Sequence, residues 1–281
     1  MKSAKTKRIG AHLSTTGGVD KAVERAHAIG ANALQIFSGS PRMWRRTSLD
    51  RINVDKISAN RDKYDVTPIF THALYLVNLA TDKPELAQKS IEALEHDLRF
   101  DSHIKGAGVV VHLGSHQGRG FDATKDLMVQ RISEVLEDTP EDSTFIIENS
   151  AGQKGKIASD LTEIRWLMDQ LKSDRVSWCF DTCHGFAAGW NLSGENSVVD
   201  TIEKLDLLDT LACVHVNDSR DTFASGRDRH ANLGEGNIPP EELEEFVNDK
   251  RLKNIPLVLE VPGEGKGPDA ENINKLKKML K

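Results

Sequence analysis

Residues 176–185 read Val-Ser-Trp-Cys-Phe-Asp-Thr-Cys-His-Gly. A largely apolar run stops at a carboxylate, Asp181, and an imidazole, His184, follows three residues later. The punctuation recurs: Ile-Phe-Thr ends at His72, Val-Val-Val at His112, Phe-Ile-Ile at Glu148, Ala-Cys-Val at His215 and Leu-Val-Leu at Glu260. With two earlier runs the candidate strands are Arg8–Leu13, Ala33–Phe37, Thr67–His72, Gly108–His112, Thr144–Glu148, Val176–Asp181, Leu211–His215 and Pro256–Glu260. Their residues are nearly continuously apolar rather than alternating, as in parallel strands buried on both faces.

Stretches of helical period lie between them. Val19–Ile29 is apolar at Val19, Ala22, Val23, Ala26 and Ile29, and Glu85–Ile104 at Leu86, Ile91, Leu94 and Leu98. Leu127–Leu136, Pro240–Val247 and Ala270–Leu280 read the same way. Asp160 is an N-cap signal for Leu161–Leu171, with Glu163 placed as in a capping box. Eight strands alternating with helices predict an α/β fold, a single (β/α)8 TIM barrel over residues 1–281, with a doubly wound open sheet as the alternative.

A chain of 281 residues suits one large barrel. No apolar stretch approaches the roughly 20 residues of a membrane span. The basic start, Met1 to Arg8, has no apolar signal segment behind it, so the expected location is cytoplasmic, with no membrane partner. Cys179, Cys183 and Cys213 lie in or beside apolar runs and do not read as a disulfide framework. A net charge of −6 speaks against a nucleic-acid partner unless bound divalent cations dominate the local field.

Barrel geometry brings the C-terminal strand ends to one face. Imidazoles and carboxylates gathered there cannot stay desolvated and unpaired, and a cation resolves the conflict. After the seventh strand, Asp228 and His230 join His184 as a further His/His/carboxylate set, because residues two apart in an extended segment share a side. Mixed N/O ligation suits Zn²⁺, Mn²⁺ or Fe²⁺. His12 reads as a rim residue; His27, His96 and His103 read as surface histidines on helices, and His116 as a loop residue. The turn at Gly234-Glu-Gly236 precedes a helix opened by Pro239. No cysteine is assigned to the metal; Cys183 is placed in a strand-to-loop bend.

From Ile9-Gly-Ala-His to Leu259-Glu260 the chain resembles the endonuclease IV family (AP endonuclease family 2), the zinc-dependent apurinic/apyrimidinic endonucleases of base-excision repair. The resemblance is carried by Phe180-Asp-Thr-Cys-His-Gly-Phe-Ala-Ala-Gly189, His215-Val-Asn-Asp-Ser219 and Asp228-Arg-His-Ala-Asn-Leu-Gly-Glu-Gly-Asn237. It implies three Zn²⁺ per chain, with Mn²⁺ an alternative at one site. His72, His112 and Glu148 would hold one ion. Glu148 would bridge to a second, held with Asp181, His215 and Glu260, and His184, Asp228 and His230 would hold the third. It also implies catalytic roles for Glu148, which sets the metal spacing, and Glu260, which orients the nucleophile.

The implied partner is double-stranded DNA with abasic sites or blocked 3′ ends. Arg42 falls where the family's intercalating arginine lies, and Tyr75 and Leu76 fall at its other wedge; on composition alone, Met43 and Trp44 read as loop-packing residues. The implied reaction is hydrolysis 5′ to an abasic site by a monomer, leaving a 3′-hydroxyl and a 5′-deoxyribose phosphate, with 3′-repair phosphodiesterase activity. The sequence departs from the family at Ala73-Leu74, at Arg220 and in the glycine-rich Pro262–Pro268 loop. Two rivals remain at this stage: a one-metal sugar isomerase or epimerase using only Glu148, Asp181, His215 and Glu260, and a damage-binding protein without catalysis.

Overall fold

A computed structural model describes residues 7–281; residues 1–6, most of the basic start, lie outside the described residues. Seven strands come first: β1 (Ile9–His12), β2 (Ala33–Phe37), β3 (Ile69–His72), β4 (Val109–Val111), β5 (Phe145–Glu148), β6 (Val176–Asp181) and β7 (Leu211–His215). A two-stranded antiparallel piece, β8 (Asp218–Ser219) with β9 (His230–Ala231), precedes the last barrel strand, β10 (Leu257–Leu259). β1 to β7 and β10 are parallel and close into a barrel in the order β1-β10-β7-β6-β5-β4-β3-β2, so the closed barrel holds and the open sheet is excluded.

The pleat explains where the chemistry falls. Phe70, Val110, Ile146, Cys179, Cys213 and Val258 form one apolar cluster inside the barrel. Their neighbours Ile69, Val109, Val111, Phe145, Ile147 and Leu257 face outward into a second, larger core beneath the helices. Side chains two residues apart on a strand share a face. Two residues beyond the six inward positions stand His72, His112, Glu148, Asp181, His215 and Glu260. Period two therefore aims all six at the mouth of the barrel. Four of them end their strands, whereas His112 and Glu260 stand one residue past β4 and β10, because the ladder stops a residue earlier than the apolar runs suggest.

The outer layer contains α1 (Val19–Ala28), α2 (Val54–Tyr64), α3 (Pro84–His103), α4 (Lys125–Glu137), α5 (Leu161–Leu171), α6 (Thr182–Ala188), α7 (Val198–Lys204), α8 (Pro240–Val247) and α9 (Ala270–Met279). Three of these were not expected. α2 buries only Ile57, so it carries no apolar stripe. α6 buries six of its seven residues and has no polar face to give a period. α7 spans only seven residues. α5 is capped as expected by Asp160, which accepts from Thr162 N, but Glu163 takes the N–H of Ala158 rather than that of Asp160, so the reciprocal box does not form.

β6 runs directly into α6, which corrects the strand-to-loop reading at Cys183. Asp181 caps that helix, accepting from His184 N at 2.9 Å, and Cys183 is buried. Gly185 makes the abrupt change workable, since a Cβ there would collide with the ring of Phe180. Below the turn, Trp178 is fully buried and donates Nε1–H to Leu207 O at 2.8 Å. Burial of an aromatic side chain of this size contributes roughly 1.5–3 kcal/mol, which anchors the strand that presents Asp181 and His184.

Candidate metal centre

Glu148 is the hub of the barrel mouth and is fully buried. One carboxylate oxygen lies 3.2 Å from His72 Nε2 and 3.2 Å from His112 Nε2. The other lies 3.0 Å from His215 Nδ1 and 3.4 Å from His184 Nδ1. His215 Nδ1 is also 3.2 Å from Glu260 and 3.8 Å from Asp181. On the far side His184 Nε2 meets Asp228 at 3.0 Å, and His230 Nε2 is 3.6 Å from both Asp228 and Asp181. All nine sequence-predicted ligands thus converge.

They form overlapping groups with donor atoms close enough for one cation each: His72, His112 and Glu148; Glu148, Asp181, His215 and Glu260; His112, His184 and Asp228; and Asp181, His184 and His230. The first two match the expected sets. The expected third set, His184, Asp228 and His230, is divided between the last two, because Asp181 and His112 lean into it. The segment carrying Asp228 and His230 is held by the pairing of β8 and β9, and Lys156 stands 3.2 Å from Asp228. A fifth such group, Cys179, Cys213 and His215, lies inside the barrel below the mouth.

The hydrogen bonds behind the imidazoles show that these groups fit a cation. His72 Nδ1 lies 2.7 Å from Ala73 O, His184 Nδ1 lies 3.0 Å from Asn149 O, and His215 Nε2 lies 2.8 Å from Gln35 Oε1. Oxygen there can only accept, so each of these nitrogens carries the hydrogen. The opposite nitrogen is aimed at carboxylates, which also cannot donate. His230 Nε2 is buried and lacks a hydrogen-bond partner, and His184 Nε2 has only the Asp228 carboxylate before it. Such an array requires protons or cations between its members.

The pKa directions agree. Burial alone would lower all these imidazoles. At His184 the charges of Asp181 and Asp228 more than reverse it, to about 10. Glu148 likewise raises His72, and His215 is raised well above its ordinary value by Cys179, Glu260 and Glu148. At His112 burial wins and the ring falls to about 4. Burial would raise the carboxyls, but the facing imidazoles hold Glu148 and Glu260 well below the ordinary range.

Carboxylates and rings are oriented by residues the sequence reading passed over. Asn217 donates to Asp181 Oδ2 at 2.6 Å and accepts from Glu260 N at 2.8 Å; Asn149 accepts from Asp181 N at 2.6 Å and donates to Asp181 O at 3.2 Å. Gln35, on β2, donates to Glu260 at 2.5 Å. The available signal was an amide inside or just after an apolar run. His12 is a rim residue as read, 3.1 Å from Glu260.

The proposed wedge residues stand beside this centre. Arg42 is exposed in the β2–α2 loop, and Tyr75 and Leu76 are exposed just past β3. Tyr75 N donates to Pro41 O at 3.0 Å, joining the two loops, and the Tyr75 ring packs edge-on to Phe37 and His72. Arg46 anchors the longer loop through one guanidinium nitrogen, which donates to both carboxylate oxygens of the buried Asp97, at 2.5 and 2.6 Å. Trp44 packs as read, whereas Met43 is exposed, since the loop turns it away from the core. Ala73 and Leu74 are buried, so their apolar character serves packing.

A family model described as a xylose isomerase-like TIM barrel matches residues 23–281. The chain is similar to a probable endonuclease 4 of Halothermothrix orenii, 35% identical and aligned over 96% of this chain and 99% of the relative. The crystal structure of endonuclease IV from Thermus thermophilus superposes with a TM-score of 0.84 at 34% identity, covering 97% of each chain. A D-tagatose 3-epimerase-like protein gives a TM-score of 0.72 at 20% identity over 96% of each chain, a likeness of fold alone.

Proposed function

This chain belongs to the endonuclease IV family, and on that premise we propose that it hydrolyses the DNA phosphodiester 5′ to an abasic site, leaving a 3′-hydroxyl and a 5′-deoxyribose phosphate, and trims blocked 3′ ends. The carrying observation is the convergence of five imidazoles and four carboxylates, several with their far nitrogen fixed on an oxygen acceptor. On the family's pattern three Zn²⁺ would use this donor set: His72, His112 and Glu148 for one, Glu148, Asp181, His215 and Glu260 for the second, and His184, Asp228 and His230, which fall in two overlapping groups, for the third. Mn²⁺ is an alternative in the second, carboxylate-rich group. When bound, the ions supply Lewis-acid charge for the phosphodiester and the leaving 3′-oxygen.

The chain's own groups do the positioning. Glu148 faces imidazoles with both oxygens and so sets the spacing of the first two sites. Glu260, partly exposed at the mouth beside His215, would orient the attacking water. Arg42, Tyr75 and Leu76 enter the stack at the lesion. A nucleotide without a base has lost its stacking, so kinking and extruding it costs less than for an intact one. The chain acts as one domain, residues 1–281, and as a monomer on double-stranded DNA in the cytoplasm. No helix among the described residues is long and apolar enough to cross a membrane.

The test is a duplex carrying one abasic analogue, incubated with protein as purified, after chelation, and after zinc is restored, alongside elemental analysis. Cleavage that is lost and regained with about three zinc ions per chain supports the proposal. One ion per chain without cleavage favours a sugar enzyme using the Glu148, Asp181, His215 and Glu260 group, and tight binding without cleavage favours a damage-binding protein.

A further inference from the structure

Gln35 has no place in the ligand pattern, yet it is fully buried at the metal centre. On β2, Leu34 and Ile36 join the outer core, so the pleat turns Gln35 into the barrel, in register with His12 on one side and Phe70 on the other. A buried primary amide is costly unless both ends are bonded. Here both are. Nε2 donates to Glu260 Oε1 at 2.5 Å and lies 2.9 Å from His12 Nδ1, while Oε1 lies 2.8 Å from His215 Nε2.

The neighbours fix the orientation of the amide. The Glu260 carboxylate only accepts, so the NH₂ end faces it and the carbonyl faces His215. That carbonyl also only accepts, so His215 must carry hydrogen on Nε2. Its Nδ1 is then left for the group formed by Glu148, Asp181 and Glu260, at 3.0, 3.8 and 3.2 Å. The second amide hydrogen lies toward His12 Nδ1, which also stands 3.1 Å from Glu260 Oε1.

We propose that Gln35 is a positioning residue of the metal centre: one amide selects the nitrogen with which His215 meets the cation and pins Glu260 beside it. Sequence position hides the role, because Gln35 is separated from its two charges by 180 and 225 residues. The proposal rests on the metal-centre reading above. Partners that orient metal-binding imidazoles typically change metal affinity or activity by about 10–100-fold.

The experiment pairs Gln35→Met, close in volume and unable to form either bond, with a measurement on the unaltered protein. Zinc content is followed by elemental analysis and by release to a chromogenic chelator. In zinc-loaded wild-type protein with ¹⁵N-labelled histidine, long-range ¹H–¹⁵N correlation identifies the protonated nitrogen of His215. The expected results are hydrogen on Nε2 of His215, and about 10–100-fold weaker retention of one ion in Q35M with the remaining zinc held as in wild type. Wild-type protein that takes up no zinc overturns the metal-centre reading together with this proposal. Normal wild-type uptake with Q35M retention unchanged, or with His215 hydrogen on Nδ1, overturns the role of Gln35 alone. The nitrogen measurement stands even where Q35M does not fold.

Discussion

Glu148→Gln is the substitution that most directly probes the centre. It keeps the shape and removes one negative charge from a fully buried group that faces four imidazoles at 3.0–3.4 Å. At an effective dielectric of about 20, unit charges 4 Å apart interact by roughly 4 kcal/mol. Loss of that attraction at a cation corresponds to about three decades in affinity. An opposing effect exists. Without the carboxylate, His72 and His215 lose a partner that raises their pKa, so protons compete less with metal. That relief shrinks as the solution is made more alkaline, so the comparison is made on the alkaline side, at pH about 8 and again at about 9, because these imidazoles are raised above their ordinary value. There the variant should hold at least one ion about 10³-fold more weakly and cleave an abasic duplex with a correspondingly reduced kcat/KM. Equilibrium dialysis in buffered zinc, with circular dichroism to confirm the fold, makes the measurement. An E148Q protein that keeps its full zinc content with affinities within about threefold of wild type would refute the bridging role.

Other expectations follow from the same geometry. His184, raised to about 10, holds a proton at neutral pH in the metal-free protein, and neighbouring groups raise His72 and His215 in the same direction, so zinc loading should release protons and weaken on acidification; calorimetry in buffers of different ionisation enthalpy counts them. Asp101, between the hydroxyls of Thr71 and Ser143, is pushed by burial up to about 7. A raised carboxyl pKa favours the fold below the unfolded value, near 4, and the contribution is lost as pH rises through 7, so Asp101→Asn should raise the melting temperature relative to wild type more at pH 8 than at pH 5. Arg42→Ala with Tyr75→Ala should raise KM for an abasic duplex about tenfold or more with zinc content unchanged, and unaltered affinity and rate would discard the wedge role. Chelated protein should bind duplex DNA more weakly than zinc-loaded protein, with a shallower salt dependence in filter binding.

How much of this was legible in the sequence depended on which physical constraint each residue obeys. The strands were legible because a parallel barrel buries both faces, and their ends because a polar ligand interrupts an apolar run. The same logic hid Gln35, Asn149 and Asn217. An amide in or beside a run resembles an ordinary interruption, and only the pleat shows that Gln35 faces inward while Leu34 does not. α2 and α6 escaped because periodicity detects half-buried helices, whereas one is nearly all exposed or half-exposed and the other nearly all buried. The roles of Arg42, Tyr75 and Leu76 came from resemblance alone; the bond from Tyr75 N to Pro41 O, which joins their loops, spans 34 residues and has no local signal.

The charge of the chain, which at first speaks against a DNA partner, follows from the same centre. Four of its acidic residues, Glu148, Asp181, Asp228 and Glu260, are spent at the barrel mouth. In the metal-free protein protons on the raised imidazoles offset part of that negative charge, and what remains repels a phosphodiester. Three divalent ions would displace those protons and outweigh the four carboxylates, reversing the sign where the scissile phosphate must sit. The exposed Arg42 and Arg45 stand on a loop tied to this mouth through Pro41, so the positive field would be concentrated on one face while the rest of the surface stays acidic. Net charge therefore misleads for a protein of this kind: the partner meets the local field at the mouth, and the strand ends, rather than the total of charged residues, determine that field.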